Sequence, residues 1–376
     1  MNSHFIEPLD VLFLRGNKLF GEAGSYGEAM VPPWPSVAAG AMRSAILIRD
    51  AVDPLAFARG ERPHDTLGTP AEPGGFRVCD FQLSWHGHSG QEDLEAVYPV
   101  PADLVVTEAG SSSSPRLLRL TPHRLPPGIA CSSPTAMLPV LAQSQRRKPA
   151  GGYWLTEAGM QAWLDGMLPD AACHLVPTGS LWHTDERVGI GMENATRRAG
   201  NGQLFTTQGI VLGRGVGFRV VTDGDGLEEG TWLRFGGDGR GAVVRRVASR
   251  PPWIDPEALL RHGRCRVVLT TPGLFPDGWR LPGMAPDGAF DLAGVRGRVV
   301  AAVVPRAETL SGWDLARGRP KTAQRAAPAG SVYWLEELDA SPEALAKLAN
   351  RGLWPDSGYD RSREVEGFNR FLFAAY

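Results

Sequence analysis

The sequence predicts an α+β protein of two ferredoxin-like domains with long loop and hairpin insertions, and three observations predict it. Hydrophobic patterns run strand, helix, excursion, hairpin, glycine loop and strand in the first part, then three strands, a helix and a strand in the second. Arg250-Pro251-Pro252 reads as the linker between them, giving a first domain over residues 1–250, with a large insertion at about 50–185, and a second over 251–376. The 46 Gly and 31 Pro form about a fifth of the 376 residues, below the roughly 25–30% of low-complexity chains, so short strands joined by many loops are expected.

Taken in order, Leu9 and Val11–Leu14 form a short apolar run closed by Arg15-Gly16-Asn17, which predicts a buried strand. Pro32, Pro33 and Pro35 block helix before Ser36, a good N-cap residue. Val37, Ala38, Ala41, Met42, Ala45 and Ile46 then recur at helical spacing. Ser36, Gly40 and Arg43 share the other face, and a helix start with a hydroxyl and an arginine nearby can seat phosphate or simply pack. Strands follow at Phe76–Trp85 and Ala96–Val106, with Ser111–Pro115 a flexible tip and Pro122–Gly152 a long excursion. Thr156 caps a short helix through Trp163, Leu164 and Met167, with Leu155 and Met160 spaced as a hydrophobic staple.

Arg187–Met192 and Gln203–Leu212 flank a polar turn holding Thr196, Arg197 and Arg198, as a hairpin would. Phe218–Val221 continues the sheet, and the glycine loop 233–241 feeds a strand at Ala242–Val247. Cys265–Thr271, Arg298–Val304, Ser331–Leu335 and Phe368–Tyr376 read as strands of the second half. Between the last two, Ser341-Pro342-Glu343 opens a helix that ends before Gly352.

A formal charge of −2 excludes a general polycation, so any nucleic-acid surface must be local. Only four of the 39 basic residues are lysine; base composition of a genome explains such a bias, and arginine is also the better bidentate phosphate ligand. Four dispersed cysteines make no metal spacing. No basic leader opens the chain and no apolar run could span a bilayer, so a cytoplasmic protein with reduced thiols and no membrane partner is expected.

Few motifs carry chemistry. His64-Asp65 lacks the further ligands of a metal phosphohydrolase and reads as a surface pair, and His86-x-His88 lacks a third ligand. Gly236-Gly237-Asp238-Gly239-Arg240 resembles a palm-type GGDD loop only superficially, because Gly and Arg follow a single acid; a tight turn and a phosphate-binding nest of backbone amides both remain open. No P-loop or G-x-S-x-G elbow is present. The arginine groups Arg43, Arg197-Arg198, Arg240, Arg245-Arg246 and Arg317-x-Arg319-x-Lys321 lie in glycine-containing loops or at strand ends, where several phosphate contacts would form a groove. Tyr26, Trp34, Trp253 and Trp313 could stack unpaired bases.

The segments FIEPLDVLFLRGNKLFG, PPWPSVAAGAMR, ERVGI, LRFGGDGR, SGWD and RPKTAQRAAPAGSVYW, in this order over most of the chain, resemble the third Cmr subunit. This is a RAMP-superfamily protein of type III-B CRISPR effector complexes. The resemblance implies two ferredoxin-like RAMP domains, no cofactor and no cleavage activity of its own. It implies a subunit that holds the 5′ repeat-derived handle of the CRISPR RNA and bridges the large polymerase/cyclase-like subunit to the backbone RAMP subunits. The RNA-binding residues it implies are Asn17, Lys18, Ser36, Arg43, Arg197, Arg198, Gly236, Gly237, Arg240, Lys321 and Arg325. GFN at Gly367–Asn369 departs from the glycine-rich closing strand common in RAMP proteins. The rival readings are a RAMP endoribonuclease using His4, His86 or His88, and a scaffold that binds only proteins.

Overall fold

The computed structural model describes residues 1–16, 26–27, 29–86, 94–108, 114–129, 131–143, 148–193, 195–224 and 226–376. It is a mixed α and β structure of antiparallel sheets with few helices. An eight-stranded sheet runs Leu175–Pro177, Tyr153–Thr156, Leu94–Pro99, Arg77–His86, Val216–Asp223, Asn2–Pro8, Gly241–Arg246, Trp232–Arg234. A five-stranded sheet runs Ala289–Leu292, Val295–Val303, Val332–Asp339, Cys265–Leu269, Phe371–Ala374.

Each sheet contains four adjacent strands that lie in space as second, third, first, fourth in chain order. They are Asn2–Pro8, Arg77–His86, Val216–Asp223 and Gly241–Arg246 in one, and Cys265–Leu269, Val295–Val303, Val332–Asp339 and Phe371–Ala374 in the other. The helix Pro35–Arg49 joins the first strand to the second in the larger sheet, whereas Pro342–Arg351 joins the third to the fourth in the smaller. A core of Tyr98, Leu155 and Trp163 with Val268, Val332 and Trp334 is shared between the sheets, so apolar area from both is withdrawn from water together. Trp182–Glu193 and Arg198–Leu212 form a long ribbon, which Tyr26–Gly27 extends in parallel.

The first helix forms because Pro35 occupies its first position, where a missing N–H does no harm, and because Ala38, Ala39, Met42, Ile46 and Leu47 give it one continuous buried stripe. Its N-cap is Trp34 and not the expected Ser36, which lies inside the helix; Trp34 makes no side-chain cap. Thr156 and Ser341 do cap their helices, accepting from the amides of Gly159 (3.0 Å) and Ala344 (3.1 Å). Gly352 follows the second of these helices as expected. The Thr156 helix ends at Leu164, short of the expected Met167.

Several expectations are corrected. The first strand is Asn2–Pro8, and the apolar run after it is a loop held by isolated bridges from Leu12 to Ile210 and from Phe13 to Gly237. That run is apolar because it is sandwiched, with Leu12, Phe13 and Leu14 all buried. Ala96–Val106 is two strands, Leu94–Pro99 and Leu104–Thr107, in separate sheets; the break brings Asp103 to Arg266. The excursion holds a small hairpin of Thr121–Arg124 and Met137–Val140. Most of the expected tip at Ser111–Pro115 lies outside the described residues. The ribbon strands are longer than their apolar cores, and the short helices Pro54–Ala58, Pro256–His262 and Arg361–Val365 were not legible as patterns.

Candidate nucleic-acid interface

The first helix brings Gly40, Arg43, Ser44 and an edge of the buried Leu47 to one wall of a trough of about 1120 Å³. The opposite wall comes from the far end of the chain: the small hairpin of Trp313–Asp314 and Arg319–Pro320, the following Lys321, and the helix Arg361–Val365. Residues more than 270 positions apart in the sequence thus face one gap.

The cations lining the trough differ in what already holds them. Arg363 is buried and committed: it binds Glu366 (2.9 Å), the Ser311 carbonyl (2.7 Å) and Gln324 (3.3 Å), and lies over the Phe368 ring. Lys321 shares Glu366 at 3.2 Å, and Arg317 faces Asp314 at 3.6 Å. The side chains of Arg43 and Arg319 make no hydrogen bond or ion pair among the described residues, and the Arg43 Nε is buried without a partner. Burial pushes the Arg43 guanidinium below its ordinary value, with Glu366 opposing, yet arginine stays charged at any physiological pH. A half-buried cation with an orphaned donor is an unfavourable arrangement unless an anion completes it. Trp313, 59% exposed, stands among the residues lining the trough.

Of the residues expected from the sequence, Arg43 and Lys321 meet in this trough. Ser36 is half-buried one turn ahead of Gly40 on the same helix. Arg325 is exposed on the strand Gln324–Ala326 and lines an adjoining hollow of about 500 Å³ with Trp354 and Tyr359. Gln324, Asp360 and Arg363 border both spaces, so the two share a wall. Asn17 and Lys18 lie outside the described residues, as does the Tyr26 side chain.

The glycine loop lies elsewhere, against the loop after the first strand. Gly236 (φ 77°), Asp238 (φ 58°) and Gly239 (φ 62°) take left-handed conformations, and the Phe235 amide donates to the Arg240 carbonyl at 2.7 Å, closing a tight turn. The Gly237 amide donates to the Phe13 carbonyl at 2.7 Å, and a Cβ at Gly236 would come within 3.0 Å of that oxygen. Arg240 pairs with Asp10 at 2.7 Å and lies 5.0 Å from the centre of the Phe13 ring, with Arg187 at 5.9 Å. Arg197 (φ 52°) and Arg198 are exposed at the ribbon's tip. Along the same ribbon Val188, Ile190, Met192 and Leu204 are exposed; strand alternation and register put Val188, Ile190 and Leu204 on one face, and Met192 lies beyond a break in register.

Three further corrections concern side chains. His64 is no surface residue: its side chain is 6% exposed, binds Asp50 at 2.9 Å, and accepts the amides of Thr66 and Leu67. His4 is buried against Leu227, and burial, with Arg246 adding to it, lowers its pKa to about 4. Trp34 is only 6% exposed, packed with Leu310, Trp354 and Phe368, so its ring faces are not open for stacking. Trp253 is 65% exposed, away from the trough lining. The side chain of His86, and His88 entirely, lie outside the described residues. Among the described residues no group of three His, Cys, Asp or Glu is placed to hold a metal ion.

The buried arginines were missed from the sequence. Arg219 binds Asp80 and Glu157 (both 2.9 Å) and Tyr98 (2.7 Å), and Arg266 binds Asp103 (2.7 Å) and the Trp163 carbonyl (2.9 Å). A signal existed: each arginine interrupts an apolar strand, in Gly217-Phe-Arg-Val-Val and Cys265-Arg-Val-Val-Leu, where only a paired charge is tolerable.

Residues 4–372 match the family model of the CRISPR-associated protein Cas_Cmr3. No curated protein sequence matches the chain. Among solved structures, a chain of the type III-B Cmr-beta complex bound to cognate target RNA, determined by cryo-electron microscopy, is 15% identical with a TM-score of 0.50; the alignment covers 98% of this chain and 96% of that one. A chain of the same kind of complex bound to cognate target RNA and AMPPnP is 14% identical over 98% and 95% of the two chains, with a TM-score of 0.48. The family match, running almost from end to end over this architecture, makes the chain a member of the CRISPR-associated Cmr3 family.

Proposed function

We propose that the chain is the RNA-holding subunit of a type III-B CRISPR effector complex, gripping the 5′ repeat-derived handle of the CRISPR RNA without cutting it. The observation that carries this reading is the trough in which the Arg43 and Arg319 side chains make no ion pair beside Lys321. Free guanidiniums bind phosphate oxygens bidentately and fix the strand's position, while unpaired bases are left to be read at their edges. Arg325 extends the cationic path into the adjoining hollow. Ser36, the ribbon-tip pair Arg197 and Arg198, and the Gly236, Gly237 and Arg240 loop, together with Asn17 and Lys18, belong to the proposed RNA surface.

In this reading residues 1–250 and 251–376 are two ferredoxin-like RAMP domains, each short of one helix. The shared strand order of second, third, first, fourth supports the assignment, with the surviving helix in the first crossover of one half and the second crossover of the other. The ribbon's exposed apolar face suits burial against a neighbouring protein, and we assign the large polymerase/cyclase-like subunit and the first backbone RAMP subunit as partners, in the cytoplasm. His4, buried and held neutral, has no path to a scissile phosphate, which favours a non-cleaving role.

The test is cross-linking of the assembled complex carrying a guide with 4-thiouridine in its handle. Adducts on peptides containing Arg43 or the 313–325 segment are expected. Adducts confined to other subunits would sink the reading.

A further inference from the structure

Three carboxylates line the trough, and local backbone accounts for two of them. Asp360 caps its helix, accepting the amides of Ser362 (2.9 Å) and Arg363 (3.3 Å), and Asp314 steadies the hairpin turn by accepting the Arg317 amide (3.0 Å). Glu366 has no such task. Its side chain is 8% exposed, and one of its oxygens binds Lys321 (3.2 Å) while the other binds Arg363 (2.9 Å). A carboxylate beside a phosphate path repels the phosphate, so its place there needs another reason.

The contacts around Glu366 close into a ring. Arg363 donates to the Ser311 carbonyl (2.7 Å), the Ser311 hydroxyl donates to the Lys321 carbonyl (2.6 Å), and the Lys321 ammonium returns to Glu366. The Lys321 amide also donates to the Gly312 carbonyl (2.9 Å). Both the backbone and the ammonium of Lys321 are thus held, while its side chain stays 36% exposed. Among the described residues the ammonium uses one of its three donors, on Glu366, and two remain for a ligand. Arg363 balances the Glu366 charge, so the ring presents Lys321 to the trough as a net cation. A lysine on its flexible four-carbon stem loses much rotamer freedom when it grips a phosphate. Where a buried carboxylate has already fixed the ammonium, that loss falls on folding and not on binding.

We infer that Glu366 is a positioning residue, which touches no RNA and sets the Lys321 ammonium where a phosphate passes through the trough. The inference rests on the RNA-binding reading above and adds to it the residue that orders one of its cations. The sign of one substitution separates this role from plain electrostatics. If Glu366 only repelled phosphate, removing its charge would strengthen RNA binding; if it positions Lys321, removing it weakens binding.

The experiment measures the affinity of the full chain for single-stranded handle RNA in wild type, Glu366→Gln, Lys321→Ala and the double variant, with a thermal melt of each. Glu366→Gln is expected to weaken binding about two- to tenfold. In the Lys321→Ala background, where no ammonium is left to position, the same substitution is expected to bring no loss and some tightening, because only the repulsion is removed. A fault in folding would weaken both backgrounds alike and cannot produce that reversal. Should Glu366→Gln fold poorly, Glu366→Asp keeps the charge on a stem one methylene shorter; it is expected to weaken binding when Lys321 is present and to change nothing when Lys321 is absent. If Glu366→Gln binds at least as tightly as wild type, or if either substitution weakens binding equally with and without Lys321, the positioning role is overturned while handle binding stands. If wild-type protein binds handle RNA no better than unrelated RNA of equal length, both readings fall together.

Discussion

Arg43 and Arg363 line the same trough, yet their surroundings assign them different work. Arg363 is saturated by Glu366, Ser311 and Gln324, so it holds the wall together. Arg43 leaves its buried Nε without a partner, and the proposed function gives its guanidinium an RNA phosphate. His4 offers a separate check at this scale. Its folded pKa of about 4 lies below the ordinary 6.5, so the unfolded chain binds the extra proton first. Stability is therefore expected to be intact above pH 6.5 and to decline as pH falls from there towards 4, by at most about 3 kcal/mol. Urea titrations across this range should show that His4→Leu flattens the decline; an unchanged profile would mean that His4 titrates normally.

The first helix carries a glycine where the proposed RNA path crosses it. Gly40 is exposed in mid-helix, and a Cβ there would meet nothing within 4 Å. An alanine would be expected to stabilise the helix by about 0.5–1 kcal/mol through backbone entropy alone. Gly40→Ala should accordingly raise the melting temperature while weakening RNA binding, because the added methyl enters the trough. A rise in both would show that RNA does not pass over Gly40. This helix was largely legible in the sequence, since prolines and a 3.6-residue apolar stripe are local signals; so were Thr156 and Ser341 as caps. The Leu12–Leu14 run was misread as strand because burial on two sides produces the same apolar run in a loop. The meeting of Arg43 with Lys321 could not be read from spacing at all, because tertiary packing alone brings the two walls together.

Across the whole molecule the two sheets are joined by polar as well as apolar contacts. Arg266 reaches Asp103, Gln82 donates to the Thr270 carbonyl, and Arg370 donates to the Cys79 carbonyl at 2.8 Å. The linker expected at Arg250 would allow independent halves, whereas a shared core and buried cross-links join the two sheets. A single cooperative unfolding transition is expected. Asp103→Ala, which strands Arg266 in a buried site, should lower stability by about 3–5 kcal/mol without splitting that transition. Two resolved transitions in the wild type would show that the halves fold separately.

The trough also fixes what the molecule as a whole should do with salt. Each phosphate released from a single strand lowers the slope of log affinity against log salt by about 0.7. The most direct measurement is that slope for handle RNA with wild type and Arg43→Ala, alongside a thermal melt of both proteins. The account predicts a slope shallower by about 0.7 or less, weaker binding and an unchanged melt for the variant. An unchanged slope with unchanged affinity would contradict it.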